Sequence, residues 1–180
     1  MHPRIREILD HLDTTRSSLE QVLSEVPPER YSVQPNGGGW TVAEVLEHLA
    51  IVEGRVLNAV KEHIDEERVA ELPREQDTSS VMASMDTVRL VDRSQRLVSG
   101  EQSLPKAAAA PDVSWSLLME RRRDLKSRIR AADGVALGSF KVPHARLGAL
   151  NLYQWIIFLG SHEARHVAQI REVARAVGQG

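Results

Sequence analysis

The stretch GGGWTVAEVLEHLAIVE, residues 37–53, decides where one helix begins and which side of it is buried. Gly37 to Gly39, following Asn36, read as a loop. Thr41 with Glu44 three residues later makes a capping box: the Thr41 hydroxyl accepts the Glu44 backbone N–H, and the Glu44 carboxylate accepts that of Thr41. Val42, Val45, Leu46, Leu49, Val52, Val56 and Val60 then recur at three- and four-residue steps, which places them on one apolar face. The pattern carries this helix to about Val69, before Pro73.

Three more segments repeat that period. Upstream, Ile5, Ile8, Leu9, Leu12, Leu19, Val22 and Leu23 give a helix over Pro3 to Ser24; Pro3 suits its first turn and Pro27-Pro28 end it. Downstream, Leu117, Leu118, Leu125 and Ile129 mark a helix that starts near Asp112 or Ser114 and stops before Gly134. Its Arg121 to Arg123 read as a solvated basic face. The last helix has Asn151 as N-cap and runs through Val177 to Gly178, with Leu152, Trp155, Ile156, Leu159, Val167, Ile170, Val173 and Val177 inward. Between the second and third of these main helices, Pro73 to Pro111 reads as a long crossover. It carries one or two short helices, with Val81, Met85, Val88, Val91 and Leu97 at roughly helical spacing, and closes on LPKAAAAPD. No segment alternates as a half-buried strand would. The pattern is all-α: a four-helix bundle, one domain over residues 1–180, burying four apolar stripes against one another.

At 180 residues the chain buries roughly 70% of its unfolded surface, enough for a core without disulfides, and it contains no cysteine. Basic (23) and acidic (25) residues nearly balance, so no sequence-wide attraction to nucleic acid or an anionic membrane is expected. The opening MHPRIREILDHLD lacks the apolar core of a signal peptide, and Trp155 to Gly160 is far too short an apolar run to span a bilayer. A soluble cytoplasmic protein is the expectation.

Of the seven histidines, His48, His162 and His166 lie inside well-defined helices. His162 and His166 are four apart and share a helix face, so their rings can turn onto a common point. His48 stands one turn into its helix. A metal site in a bundle takes ligands from more than one helix, and three neutral nitrogens leave positions for water or substrate. HEARH, residues 162–166, also fits the H-E-x-x-H pattern of zinc proteases, with Glu163 as general base. The third ligand speaks against that reading. The glycine and histidine that would follow are replaced by Gln169 and Glu172, so Glu163 is expected as an exposed side chain paired with a neighbouring arginine.

Residues 37–53 and PHARLGALNLYQWIIFLGSHEARHVAQI, residues 143–170, together resemble the DinB/YfiT-like superfamily, in particular its DinB-like branch. The first block is similar to that family's W-S/T-x-x-E-x-x-x-H-L helix. The second is similar to its H-P-x-x-G-x-L loop and its W…F…H-x-x-x-H-x-x-Q-I helix. The resemblance implies that His48, His162 and His166 are a metal triad, that Trp40 closes the bundle end beside it, and that Gln169 stands behind a ligand. Pro143 precedes His144 where the family has His-Pro, so His144 is left outside the ligand set.

What the resemblance implies about activity is a divalent-metal protein, some of whose relatives are transferases or isomerases using a low-molecular-weight thiol. The expected cofactor is zinc or nickel, ahead of iron, cobalt or copper. Thiol transfer to an electrophilic small molecule, in stress or detoxification, is the leading expectation. Metal-dependent hydrolysis of a small molecule is the alternative enzyme, and a non-catalytic metal-containing stress-response or binding protein is the third. The expected partner is a small-molecule substrate, with no nucleic acid or membrane, and the helical faces could support a homodimer.

Overall fold

A computed structural model describes residues 1–64, 66–94, 100–106 and 109–178. Leu97 and Val98, and part of the alanine run at 107–108, lie outside the described residues. The helices are α1 (Pro3–Ser24), α2 (Val42–His63), the short α3 (Thr87–Val91), α4 (Pro111–Ala131) and α5 (Leu152–Gly178). The four long ones form the bundle: α1 packs on α5, α2 on α4, and α2 also on α5. None of the described helices is long and apolar enough to cross a membrane.

Each long helix starts for a reason already legible in the chain. Both halves of the Thr41–Glu44 capping box form, at 3.2 and 2.8 Å. Asn151 and Gln154 exchange a similar reciprocal pair at the head of α5, both at 3.0 Å. Pro3 and Pro111 occupy first turns, where the N–H they lack has no partner to lose.

Two expectations about the elements need correction. α2 ends at His63 rather than Val69: Ile64 turns extended and is buried, and the next apolar residue, Val69, is five further on and off the stripe. A 3-10 segment, Glu66–Glu71, follows. The crossover carries one short α-helix among the described residues, α3, capped by Asp86, as expected, although Val88 on it is 80% exposed and stands outside the core. Finally, a two-stranded antiparallel hairpin, β1 (Lys141–His144) with β2 (Gly148–Asn151), leads into α5. Half of its eight residues are exposed and Leu150 alone is fully buried, so its sequence carries little apolar signal.

The core is split in two. One apolar cluster gathers Ile5 to Leu12, Val52 to Ile64, Leu125, Ile129 and Leu152 to Leu159. The other gathers Leu19 to Val26, Val42 to Ala50, Leu118, Val167, Ile170 and Val173. Between them lies a charged layer with one member from every long helix: Arg16, Glu53, Arg122 and Glu163, each 6% exposed or less. Arg16 donates to Glu163 at 2.9 Å and to Glu53 at 3.0 Å. Arg122 grips Glu53 through two nitrogens and reaches Glu163 at 3.3 Å, while Thr15 donates to Glu163 at 2.8 Å. Two cations meet two anions, and nearly every donor is used, the condition under which buried ions are tolerated. Burial alone would lower the Arg122 pKa, but the Glu163 and Glu53 carboxylates outweigh it and raise it.

The basic run at 121–123 is therefore not a solvated face. Arg122 lies four residues after Leu118 and three before Leu125, on the buried stripe, and only Arg123 is fully exposed. Arg121 donates to the Ala50 carbonyl. Glu163 likewise is buried rather than exposed. Its arginine partners come from other helices, not from neighbouring sequence.

Candidate metal centre

α2 and α5 bring His48, His162 and His166 together, with one nitrogen of each inside a group spanning no more than 4.8 Å. His162 Nε2 is 3.1 Å from His48 Nε2 and 3.2 Å from His166 Nε2. Nitrogens about 3.3 Å apart are what a tetrahedral zinc-like ion needs when each bond is about 2.0–2.1 Å. The His144 ring is outside this group, packed on Phe158 at 4.7 Å and Trp155 at 4.9 Å.

The outer nitrogens fix how the rings are protonated. His48 Nδ1 donates to the Ser103 carbonyl at 2.5 Å. His166 Nδ1 donates to Gln169 Oε1 at 2.8 Å, and Arg93 donates to the same oxygen at 3.4 Å, which sets the amide's orientation. Each of these neutral rings therefore turns a bare lone pair at Nε2 toward His162. His162 has a single proton to offer, and its buried Nδ1 has no hydrogen-bond partner. Whichever nitrogen holds that proton, at most one of the three converging Nε2 atoms is a donor.

Adding a proton does not relieve this. Burial, then the His166 and His48 rings, hold His162 well below its usual value. Burial, then His48, takes His166 down to about 3. His48 is lowered too, chiefly by burial, although its bond to Ser103 acts the other way. At least two lone pairs converge here in the neutral state, and a third when His162 carries its proton on Nδ1; such an arrangement fits a cation, and nitrogen donors of this kind fit a borderline divalent metal.

Aromatic rings wall the cluster. Trp40 lies 4.8 Å from the His48 ring and stacks over His166 at 6.1 Å, and Phe158 lies 5.4 Å from His162. Glu163, though next to His162, points the other way into the charged layer, so it faces no ligand held by the histidines. That removes the general base from the H-E-x-x-H reading. A separate cleft of about 600 Å³, lined by Leu23, Tyr31, Leu46 and Trp115 among others, opens between α1 and α4 and includes none of the three histidines.

Sequence reasoning missed Ser103, because the group that orients His48 is a backbone carbonyl and carries no side-chain signal. It also missed Arg16, Glu53 and Arg122, whose signal was present: a charged residue at core spacing between apolar neighbours.

Fold and histidine cluster together define a helical bundle with an ion-sized group of nitrogens at one seam. Residues 11–170 match the DinB superfamily, and the chain belongs to it. It is similar to YuaE, an uncharacterized protein of Bacillus subtilis (strain 168), with 24% identity over 166 residues, 86% of this chain and 90% of that one. Among solved structures it is similar to TT2238, a four-helix bundle protein, with a TM-score of 0.59 and 22% identity over 93% of this chain and 98% of that one.

Proposed function

We propose that the protein holds one divalent ion, zinc or nickel, through His48, His162 and His166, and uses it to transfer a low-molecular-weight thiol to an electrophilic small molecule. The observation that carries this reading is the convergence of three Nε2 atoms that share at most one proton. Three protein nitrogens are one fewer than a closed structural zinc site employs, which favours a reactive centre over a purely structural one. When bound, the ion would act as a Lewis acid and lower the pKa of a coordinated thiol or water.

The chain's own groups prepare the site. The Ser103 carbonyl and Gln169 hold two rings in the tautomer that points Nε2 inward. Trp40 and Phe158 cover the rings and limit water around them. A chain without cysteine is consistent with a thiol supplied from outside. The reading places the protein in the cytoplasm, with a small molecule as its partner and a second copy of the chain as a further one.

Elemental analysis of the purified protein beside His48→Ala tests the ion. Near-stoichiometric metal is expected in the first and loss of most of it in the second. Full retention in the variant removes His48 from the site. Thiol consumption with an electrophile, with and without metal, then tests the reaction; turnover that needs metal but no thiol would move the assignment to hydrolysis.

A further inference from the structure

We infer that Arg55 and His144 form an anion subsite at the mouth of the histidine cluster, so that the small molecule accepted there carries a carboxylate. The inference deepens the metal reading above and rests on it for the identity of the reacting centre.

Arg55 is seven residues after His48, two turns along the same face of α2, and its side chain is exposed. It donates to Ser103 Oγ at 2.7 Å, while the Ser103 carbonyl accepts from His48. One residue of the crossover thus ties the guanidinium to the ring. Arg55 has further N–H donors, and they meet no protein acceptor among the described residues.

His144 reaches the cluster from the hairpin, through Phe158. It ends β1, and its Nδ1 accepts the backbone N–H groups of Arg146 at 3.2 Å and Leu147 at 3.1 Å. The hairpin turn therefore fixes the neutral ring with its proton on Nε2, and that N–H has no protein partner among the described residues. The ring packs on Phe158, which in turn packs on His162.

The electrostatics agree in sign. The leading charges acting on His144 are Arg55 and Arg146. No carboxylate is among them. Glu163 is turned inward, and Glu172 is taken by Arg93. In a protein of net charge -2 the charges nearest His144 are thus positive, which favours an anion there.

Two thiols of similar length separate the subsite from the metal. The cobalt-loaded full chain is titrated with 3-mercaptopropionate and with 2-mercaptoethanol, following the thiolate-to-cobalt absorption band. Wild type should bind the carboxylate-bearing thiol about tenfold more tightly, the order of a charge-assisted hydrogen bond. In Arg55→Gln that preference should collapse while cobalt content and 2-mercaptoethanol binding stay unchanged. Equal affinities in wild type, or an undiminished preference in the variant, overturn the subsite. A readout without metal keeps the two readings apart: in the metal-free protein, succinate should shift the side-chain N–H resonances of Arg55 and His144, and succinamide should not. A shift without cobalt uptake would sink the metal and keep the subsite; no shift sinks the subsite whatever the metal does.

Discussion

Replacing Glu163 by glutamine removes one of the two carboxylates that neutralise Arg16 and Arg122 inside the bundle. Three hydrogen bonds converge on that carboxylate, from Thr15 at 2.8 Å, Arg16 at 2.9 Å and Arg122 at 3.3 Å. In the variant both guanidinium groups must share Glu53, and one positive charge is left uncompensated where water does not reach. Breaking a buried ion pair in this way costs about 3–5 kcal/mol. For a chain of this length that lowers the melting temperature by roughly 2–4 °C per kcal/mol, or about 6–20 °C.

The assay is urea unfolding of the metal-free protein followed by far-ultraviolet circular dichroism. A loss below about 1 kcal/mol would refute the account of the layer. The double variant Arg16→Met/Glu163→Gln restores charge balance through the Arg122–Glu53 pair. It should therefore regain much of the loss, a coupling that a double-mutant cycle measures directly. The same variant discriminates the protease pattern: a general base replaced by its amide would leave folding intact and abolish turnover. Here folding should suffer while metal content per folded molecule is kept.

Two further outcomes follow from the structure. His166 titrates near 3 and His162 well below its usual value when folded, whereas both titrate near 6.5 when unfolded. Below that pH the unfolded chain binds more protons, so the metal-free protein should lose up to about 1.4 kcal/mol per pH unit for each such ring between about pH 6.5 and 5. A urea midpoint unchanged across that window would contradict it. Gly160→Ala puts a methyl group into the His11 ring, which donates to the Ile157 carbonyl at 3.2 Å. A net loss of about 1–2 kcal/mol is expected, overpacking outweighing the helix-propensity gain. His11→Ala in the same chain should remove the penalty, and calorimetry of the wild type and the two variants decides it.

How much could be read in advance depended on whether the cause was local. The ends of α1, the capping box of α2 and the Asn151 cap of α5 follow from neighbouring residues, and each was legible. The histidine cluster was legible because two of its rings share one helix face and the third stands on another strongly periodic helix. The burial of Glu163 was not, because its partners Arg16 and Arg122 come from two other helices, and the core spacing of Arg122 gave no hint of the carboxylates that hold it there. Nor was the hairpin, whose short strands bury little, nor the early end of α2, set by a turn in the backbone at Ile64.

The charged layer also bears on alignment. Apolar stripes alone can slide past one another by a helical turn, because leucine and valine make nearly interchangeable neighbours. A one-turn slip of α5, about 5.4 Å, would set Leu159 or Val167 against two guanidinium groups and strand Glu163 in the greasy interior. It would also carry His162 and His166 past His48. The four ions thus act as a key that admits one vertical setting of the helices, and the histidines meet because the key, rather than the connecting loops, determines their height.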